Sequence, residues 1–358
     1  MTFLEKMHFL QRTIVVFRTQ GQNRRDRSRD PISQAVLRTG MRAVRYHEHG
    51  DADALELEEI PTPEPDEDEV LVEVSAAGIN PVDTYFREGS YSPAALPWIP
   101  GSDFAGTVEA VGAEVTAFEP GERVFGTGLG KDIPGTCAEY VASPTDRIAT
   151  LPDGVSFETG AALGVPAVTA WRSLIDHAEL EPAERCLIHG GSGGVGHAAV
   201  QIAAATGAEV TTTASPEHHE KLESLGADVV LDYARDDLED AVITAGAPDV
   251  ILDHRLDDYL QFDADVATQG TRVVGIGNTV PEAGFSNVPA ARSKELRIHL
   301  ISMFNTPDLA AVLRRVATLL SSGKLSAEID RTYDLTEVSE AHDAVISESF
   351  FGKLVVTP

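Results

Sequence analysis

The stretch IHGGSGGVGHAAVQIAAATGA, residues 188–208, decides the fold. Its glycines Gly191, Gly193 and Gly196 stand at GxGxxG spacing, after the apolar segment CLIHG (186–190) and before a helix of small residues. In that setting Gly191 permits a tight turn, Gly193 lets the backbone approach a pyrophosphate, and Gly196 lets helix and strand pack closely. With Ser192, Gly194 and Val195 these residues would aim free amides and the positive end of the helix dipole at a phosphate. The stretch therefore implies a dinucleotide site. The plainer alternative is a glycine-rich turn without a ligand.

Outward from the turn, EVTTTAS (209–215), DVVLDY (228–233), DVILDH (249–254) and RVVGIG (272–277) are candidate strands. Helical segments separate them, one running from Asp257 to about Thr268. That alternation is the mark of an α/β, doubly wound parallel sheet covered on both faces. LRIHLISMF (296–304) reads as a sixth strand. LAAVLRRVATLLSSGKL (309–325) has helical spacing and a stop at Gly323, and FFGKLVVTP (350–358) closes the chain as a strand.

Upstream the texture differs. EVLVEVSAAGI (69–79), DFAGTVEAVGA (103–113) and ERVFGTG (122–128) are short alternating segments between Gly and Pro, as in a β-rich, barrel-like domain. The expected organisation is a leader over 1–40, a β-rich domain over 41–166, a dinucleotide domain over 167–306, and a C-terminal segment over 307–358 that returns to the first domain. The leader has eight Lys or Arg against three Asp or Glu and no apolar periodicity. It reads as disordered, and either as sequence upstream of a true start at Met41 or as a targeting presequence.

The whole chain, by contrast, carries a formal charge of −29 from 57 acidic and 28 basic residues, of which only six are Lys. Such a surface repels phosphate backbones and anionic headgroups, which argues against nucleic-acid or membrane partners. Acidic excess with scarce Lys also fits a high-salt cytoplasm, where screening relieves self-repulsion. Two cysteines, Cys137 and Cys186, cannot build a four-thiolate zinc site and form no CxxC pair, consistent with a reduced cytoplasmic setting. No stretch has the roughly 18–20 apolar residues of a membrane-spanning helix.

A dinucleotide site preferring NAD would carry Asp or Glu about 20 residues past the turn, on the ribose 2′-hydroxyl. Here Ala214 and Ser215 stand at that point, followed by His218 and His219. A hydroxyl and an imidazole suit a 2′-phosphate, so NADPH is the expected cofactor; two solvated histidines on an exposed helix are the alternative.

Several stretches together resemble the medium-chain dehydrogenase/reductase superfamily, and within it the zinc-free quinone oxidoreductase, zeta-crystallin-like branch. They are GINPVDTYFREGSY (78–91), PWIPGSDFAGTVEAVG (97–112), GERVFGTG (121–128), AEYVASPTDRIATLPDGVSFETGAAL (138–163), the glycine turn, VVLDY (229–233) and GKLVV (352–356). The resemblance runs from Met41 to Pro358 and implies a GroES-like catalytic domain beside a Rossmann domain. In the zinc enzymes of that superfamily a cysteine ligand occupies the position of Asn80, and Gly-His-Glu replaces Gly101, Ser102 and Asp103. Neutral Asn and Ser are poor zinc ligands, so no metal is expected.

Without a Lewis acid, reduction of an activated acceptor, a quinone or an α,β-unsaturated carbonyl, is the natural chemistry. The resemblance puts Asn80, Tyr85 and Tyr91 in the cleft, to orient a substrate and donate hydrogen bonds, with Asp83 fixing the loop or a ribose hydroxyl. It puts Tyr233 near the adenosine 2′-phosphate, Lys353 near the cofactor phosphates, and the backbone of Gly275, Gly277 and Asn278 beside the nicotinamide. Arg255 follows the fourth strand where the family often has a glycine-rich turn. It pairs with an anionic group of substrate or cofactor, or with Asp257 or Asp258. An enoyl-thioester reductase, a zinc-free alcohol dehydrogenase and a non-enzymatic NADPH-binding protein are the competing readings. A homodimer through the edge strand near LRIHLISMF is also expected.

Overall fold

A computed structural model of the chain describes residues 40–358 apart from 92 and 94. The basic leader expected over the first 40 residues thus falls almost entirely outside them.

The upstream half supplies β1 (Met41–Arg45), β2 (Glu56–Ile60), β3 (Glu69–Ile79), β4 (Asp103–Val111), β5 (Arg123–Gly126), β6 (Tyr140–Pro144) and β7 (Ile148–Thr150). The next region supplies β8 (Arg185–Ile188), β9 (Glu209–Thr213), β10 (Val229–Leu231), β11 (Val250–Asp253), β12 (Arg272–Gly275) and β13 (Arg297–Leu300). The last two strands are β14 (Ile329–Asp334) and β15 (Lys353–Thr357).

Strands β8 to β13 form a six-stranded sheet in the order β10-β9-β8-β11-β12-β13, every pair parallel. The order reverses between β8 and β11, so the crevice beyond their carboxyl ends is the place where such sheets bind ligands. The strands are short apolar runs because helices cover both faces. Leu187, Ile251 and Val273 face one buried cluster, while Cys186, Ile188, Val210, Leu252 and Val274 face the other.

The second sheet has seven strands in the order β14-β15-β3-β4-β5-β7, with β6 also on β3. β15 pairs antiparallel with β3, bringing Leu354 opposite Ile79, so the chain's last strand lies beside its third. Strand β14 was not legible in the sequence. IDRTYD is polar and largely exposed, and it holds its place through parallel pairing with β15.

Helix α1 (Pro81–Glu88) occupies the stretch that reads as a Pro-containing loop. Asn80 is its N-cap, Pro81 sits at the first turn where a missing N–H costs nothing, and Gly89 at φ 86° ends it. Helices α2 (Phe157–Ala162) and α3 (Gly164–Trp171) lie between the sheets, and α4 (Gly194–Thr206) follows the glycine turn. An apolar seam of Ala76, Ala105 and Phe125 with Leu163, Val168, Ile188 and Val200 runs from one sheet to the other. Burial of this seam fixes how the glycine turn faces α1 and β15.

Candidate functional site

The turn after β8 is held from beneath. The Gly191 N–H donates to Thr213 O at 2.9 Å and the Gly190 N–H to Thr213 Oγ1 at 3.1 Å, tying the turn to β9. A Cβ on Gly196 would lie 2.1 Å from Gly190 O, so only glycine lets α4 pack this close to the turn. Above Gly193 nothing comes nearer than 3.5 Å, which leaves its backbone approachable. Buried His197 accepts no charge there: burial pulls its imidazole down to about 4, and its Nδ1 lies 3.0 Å from Gly193 O.

Facing the turn, Asn80, Asp83, Ser102, Asp103, Thr127 and Lys353 form a network with almost no solvent contact. The Asn80 amide donates to Asp103 Oδ2 at 2.9 Å, and its carbonyl accepts from Lys353 Nζ at 2.6 Å. Lys353 also donates to Ile79 O. The Asp103 carboxylate accepts from Thr127 and from the Val165 N–H at 2.7 Å. Asp83 accepts from Ser102 Oγ at 2.6 Å and from the Asn80 N–H at 2.8 Å.

Burial pushes the Asp83 carboxyl up to about 7, against the Ser102 hydrogen bond that favours the ion. It raises Asp103 too, while drawing the Lys353 ammonium below its ordinary value despite the two carboxylates near it. Cys137 packs near Gly101, and burial raises its thiol so that no thiolate is on offer. Where metal ligands would stand, the chain thus has an amide and carboxylates already spent on hydrogen bonds, a protonated thiol and a resident ammonium. This donor set does not fit a zinc ion.

Asn80 therefore has both polar atoms of its amide bonded within the protein. Lys353, expected near cofactor phosphates, has its ammonium on Asn80; only its stem runs past the turn. Tyr85 is half-buried, burial raises its phenol, and its ring lies 6.4 Å from that of exposed Tyr91. Phe86 meets Phe304 edge to face at 5.6 Å, which braces α1 against the segment after β13.

At the far end of the crevice, Ser215 Oγ lies 3.3 Å from Tyr233 Oη, joining the tips of β9 and β10. The His218 ring rests against Phe351 at 5.2 Å, and His219 Nε2 lies 3.1 Å from Ala214 O. Helix α5 (Leu256–Val266) has Arg255 as its N-cap, and the Arg255 guanidinium pairs with Asp258. Gly275 is buried under Leu256, Gly277 O accepts from the Leu256 N–H at 3.1 Å, and exposed Asn278 donates to Val280 O at 3.1 Å. The loops after β11 and β12 are thus laced together at the mouth of the crevice.

One cluster at the switch point went unread in the sequence. His189, immediately before the turn, has Nε2 in hydrogen-bond contact with Asp263 Oδ1 at 2.8 Å and stacks on Tyr259 at 4.4 Å. Asp253, at the tip of β11, faces Asp263, and burial pushes the two carboxyls up to about 7 and about 8. His189 is pulled down to about 4. A histidine adjoining the turn and an aspartate ending the fourth strand were the available signals. Their meeting with Asp263, on the helix between β11 and β12, is a tertiary event.

A parallel sheet with a glycine turn at its switch point, facing a second β-rich lobe closed by the C-terminal strand, defines a dinucleotide-dependent oxidoreductase of two lobes. Residues 66–153 match the alcohol dehydrogenase GroES-like domain family, and residues 225–356 match the zinc-binding dehydrogenase family. The chain is 35% identical over 329 residues to the quinone oxidoreductase of Homo sapiens, an alignment covering 88% of this chain and 97% of that one. The crystal structure of Escherichia coli quinone oxidoreductase complexed with NADPH superposes with a TM-score of 0.80 at 28% identity, over 88% of this chain and 100% of that one. An NAD-dependent alcohol dehydrogenase superposes at 0.82, with 29% identity, 89% of this chain and 100% of the other. The chain belongs to the medium-chain dehydrogenase/reductase superfamily, in its quinone oxidoreductase branch.

Proposed function

We propose that this protein is a zinc-independent, NADPH-dependent reductase that transfers a hydride to a quinone or an α,β-unsaturated carbonyl. The observation that carries the reading is the buried network of Asn80, Asp83, Ser102, Asp103 and Lys353, which fills the place of a Lewis-acid metal with spent donors and an ammonium. Reduction of an acceptor already polarised by conjugation needs orientation and a donor for the developing oxyanion, not a metal. Bound along the turn, the cofactor would supply the hydride. The protein's share is to hold the pyrophosphate at the head of α4, to border the nicotinamide with the backbone of 275–278, and to offer the phenol of Tyr85, with Tyr91 beside it.

Preference for NADPH rests on the tip of β9. Ala214 and Ser215 stand where an acidic residue would hold a ribose hydroxyl, and Ser215, Tyr233 and His218 present two hydroxyls and an imidazole. The quinone oxidoreductases among the relatives support the acceptor class. No helix of the described residues is long and apolar enough to cross a membrane.

The test is oxidation of NADPH and of NADH against a quinone, an enone, an enoyl thioester and an aldehyde, each with and without a zinc chelator. Turnover with the quinone or enone, faster with NADPH and indifferent to the chelator, is expected. Turnover confined to the aldehyde and abolished by the chelator would overturn the reading, turnover confined to the enoyl thioester would reassign the acceptor, and tight NADPH binding with no turnover would leave a non-enzymatic binder.

A further inference from the structure

Lys353 is 3% exposed, and its side chain crosses from one half of the site to the other. The backbone around it is fixed to the glycine turn: the Gly352 N–H donates to Ser192 O at 2.7 Å. Its stem then passes the head of α4 so closely that a Cβ on Gly194 would lie 2.8 Å from Lys353 Cδ. Its ammonium ends on Asn80 Oδ1 and Ile79 O, with Asp83 and Asp103 as the surrounding negative charges. An ammonium facing a phosphate would be aimed at the open side of the turn; this one is aimed away from it, into the β-rich lobe.

We propose that Lys353 is a positioning residue, the internal cation around which Asn80, Asp83 and Asp103 are arranged, and that it locks α1 and Tyr85 in register with the nucleotide turn. The proposal rests on the function argued above only for the catalytic consequence. Its structural core stands on the network itself.

The network dictates an unusual double-mutant result. In Asp103→Asn alone, one oxygen facing Asn80 becomes an amide group, and Asn80 cannot turn over to accept from it because Lys353 needs the same carbonyl. In Lys353→Met alone, two buried carboxyls lose their cation. With both substitutions Asn80 is free to turn, its carbonyl accepting from Asn at 103, and no uncompensated charge remains at that position. The double variant is therefore expected to melt at a higher temperature than either single variant.

Three readouts test this: thermal melting of the four chains, fluorescence titration with NADPH, and steady-state rates with a quinone, including Lys353→Arg as the conservative replacement. Lys353→Met should bind NADPH within about three-fold of the wild type while its kcat falls about ten-fold or more, and Lys353→Arg should recover part of that kcat. Should Lys353→Met yield only aggregate, recovery of a folded double variant is the expected result. Aggregation of both overturns the proposal. So does a double variant less stable than either single one, or a Lys353→Met chain that melts normally but binds NADPH more than about ten-fold weaker, which would assign the ammonium to the cofactor. A wild-type chain that bound no nicotinamide dinucleotide would sink the functional reading, yet the melting comparison would still decide the role of Lys353.

Discussion

Two tyrosines sit on or beside the α1 segment, and their surroundings differ. Tyr91 is 56% exposed, whereas Tyr85 is half-buried on a helix whose N-cap is held by Lys353 and Asp83. A phenol raised by burial stays protonated throughout the neutral range and remains a donor. Tyr85→Phe should therefore lower kcat by about ten-fold with little change in NADPH affinity, since one preorganised donor to a developing oxyanion is lost. Wild-type rates with the quinone, enone, enoyl thioester and aldehyde alike would remove Tyr85 from the chemistry. Asn80 acts one step further back. With both polar atoms of its amide engaged, it serves the site by holding the start of α1 against β4.

Among elements, the neighbouring tips of β8 and β11 carry the titratable cluster. Asp253 and Asp263 have folded values of about 7 and about 8, above the ordinary value near 4, so the folded chain retains a proton that the unfolded chain releases. Their contribution to stability is whole below about pH 4 and is lost as pH rises through about 7 to 8. His189, depressed to about 4, has the opposite sign: its contribution is present above about 6.5 and is lost as pH falls toward 4. Between about pH 4 and 8 the two carboxyls outweigh the one imidazole, so the stability this cluster contributes should fall across that range and level off above it. Asp263→Asn replaces one of the two carboxyls that burial raises by a neutral amide of the same shape. It should flatten that decline, its gain over the wild type growing from about pH 4 to about pH 8 and holding steady above. Parallel melting curves for the two chains across that range would contradict the assignment.

Over the whole molecule, charge and edge geometry set two expectations. A chain with a formal charge of −29 repels itself, and at about 1 M salt the screening length shrinks to about 3 Å. The melting temperature is accordingly expected to climb from low salt into molar potassium chloride; a flat or falling curve would show the acidic surface to be ordinary. Strand β13 ends the six-stranded sheet with one ladder unpaired and with Leu300 72% exposed, a surface suited to a second copy of the chain. Light scattering is expected to find a dimer, and Leu300→Glu to shift it toward monomer while melting stays cooperative. A wild-type monomer at micromolar concentration would leave that edge without its proposed cover.

Residues close in sequence carried most of what could be read without coordinates. GGSGGVG between an apolar strand and a small-residue helix specifies its own conformation, because the glycines meet steric demands set by neighbours within a few positions. The alternation of apolar strands and helices after it fixes a parallel sheet, because each strand must be covered on both faces. The absence of an acidic residue at Ser215 and of metal ligands at Asn80 and Ser102 was equally legible, being a matter of residue type at a known spacing. Helix α1 was missed because its eight residues open on Pro after an Asn cap and are followed by Gly, signals shared with a turn. Strand β14 was missed because its polar sequence is stabilised by a neighbour and not by its own pattern.

The tertiary structure alone decided where charge sits in the site. Lys353 reaches Asn80 across 273 positions of sequence, and His189 reaches Asp263 across 74. A burial-driven pKa depends on which groups the folded chain removes from water together, and hydrogen-bond partners of this kind follow no periodicity. The sequence by itself determined a dinucleotide turn and, at positions 80 and 102, side chains that are poor zinc ligands. Folding determined that the cleft carries its own buried cation, because only strand β15, returning from the far end of the chain to lie on β3, brings that ammonium to Asn80.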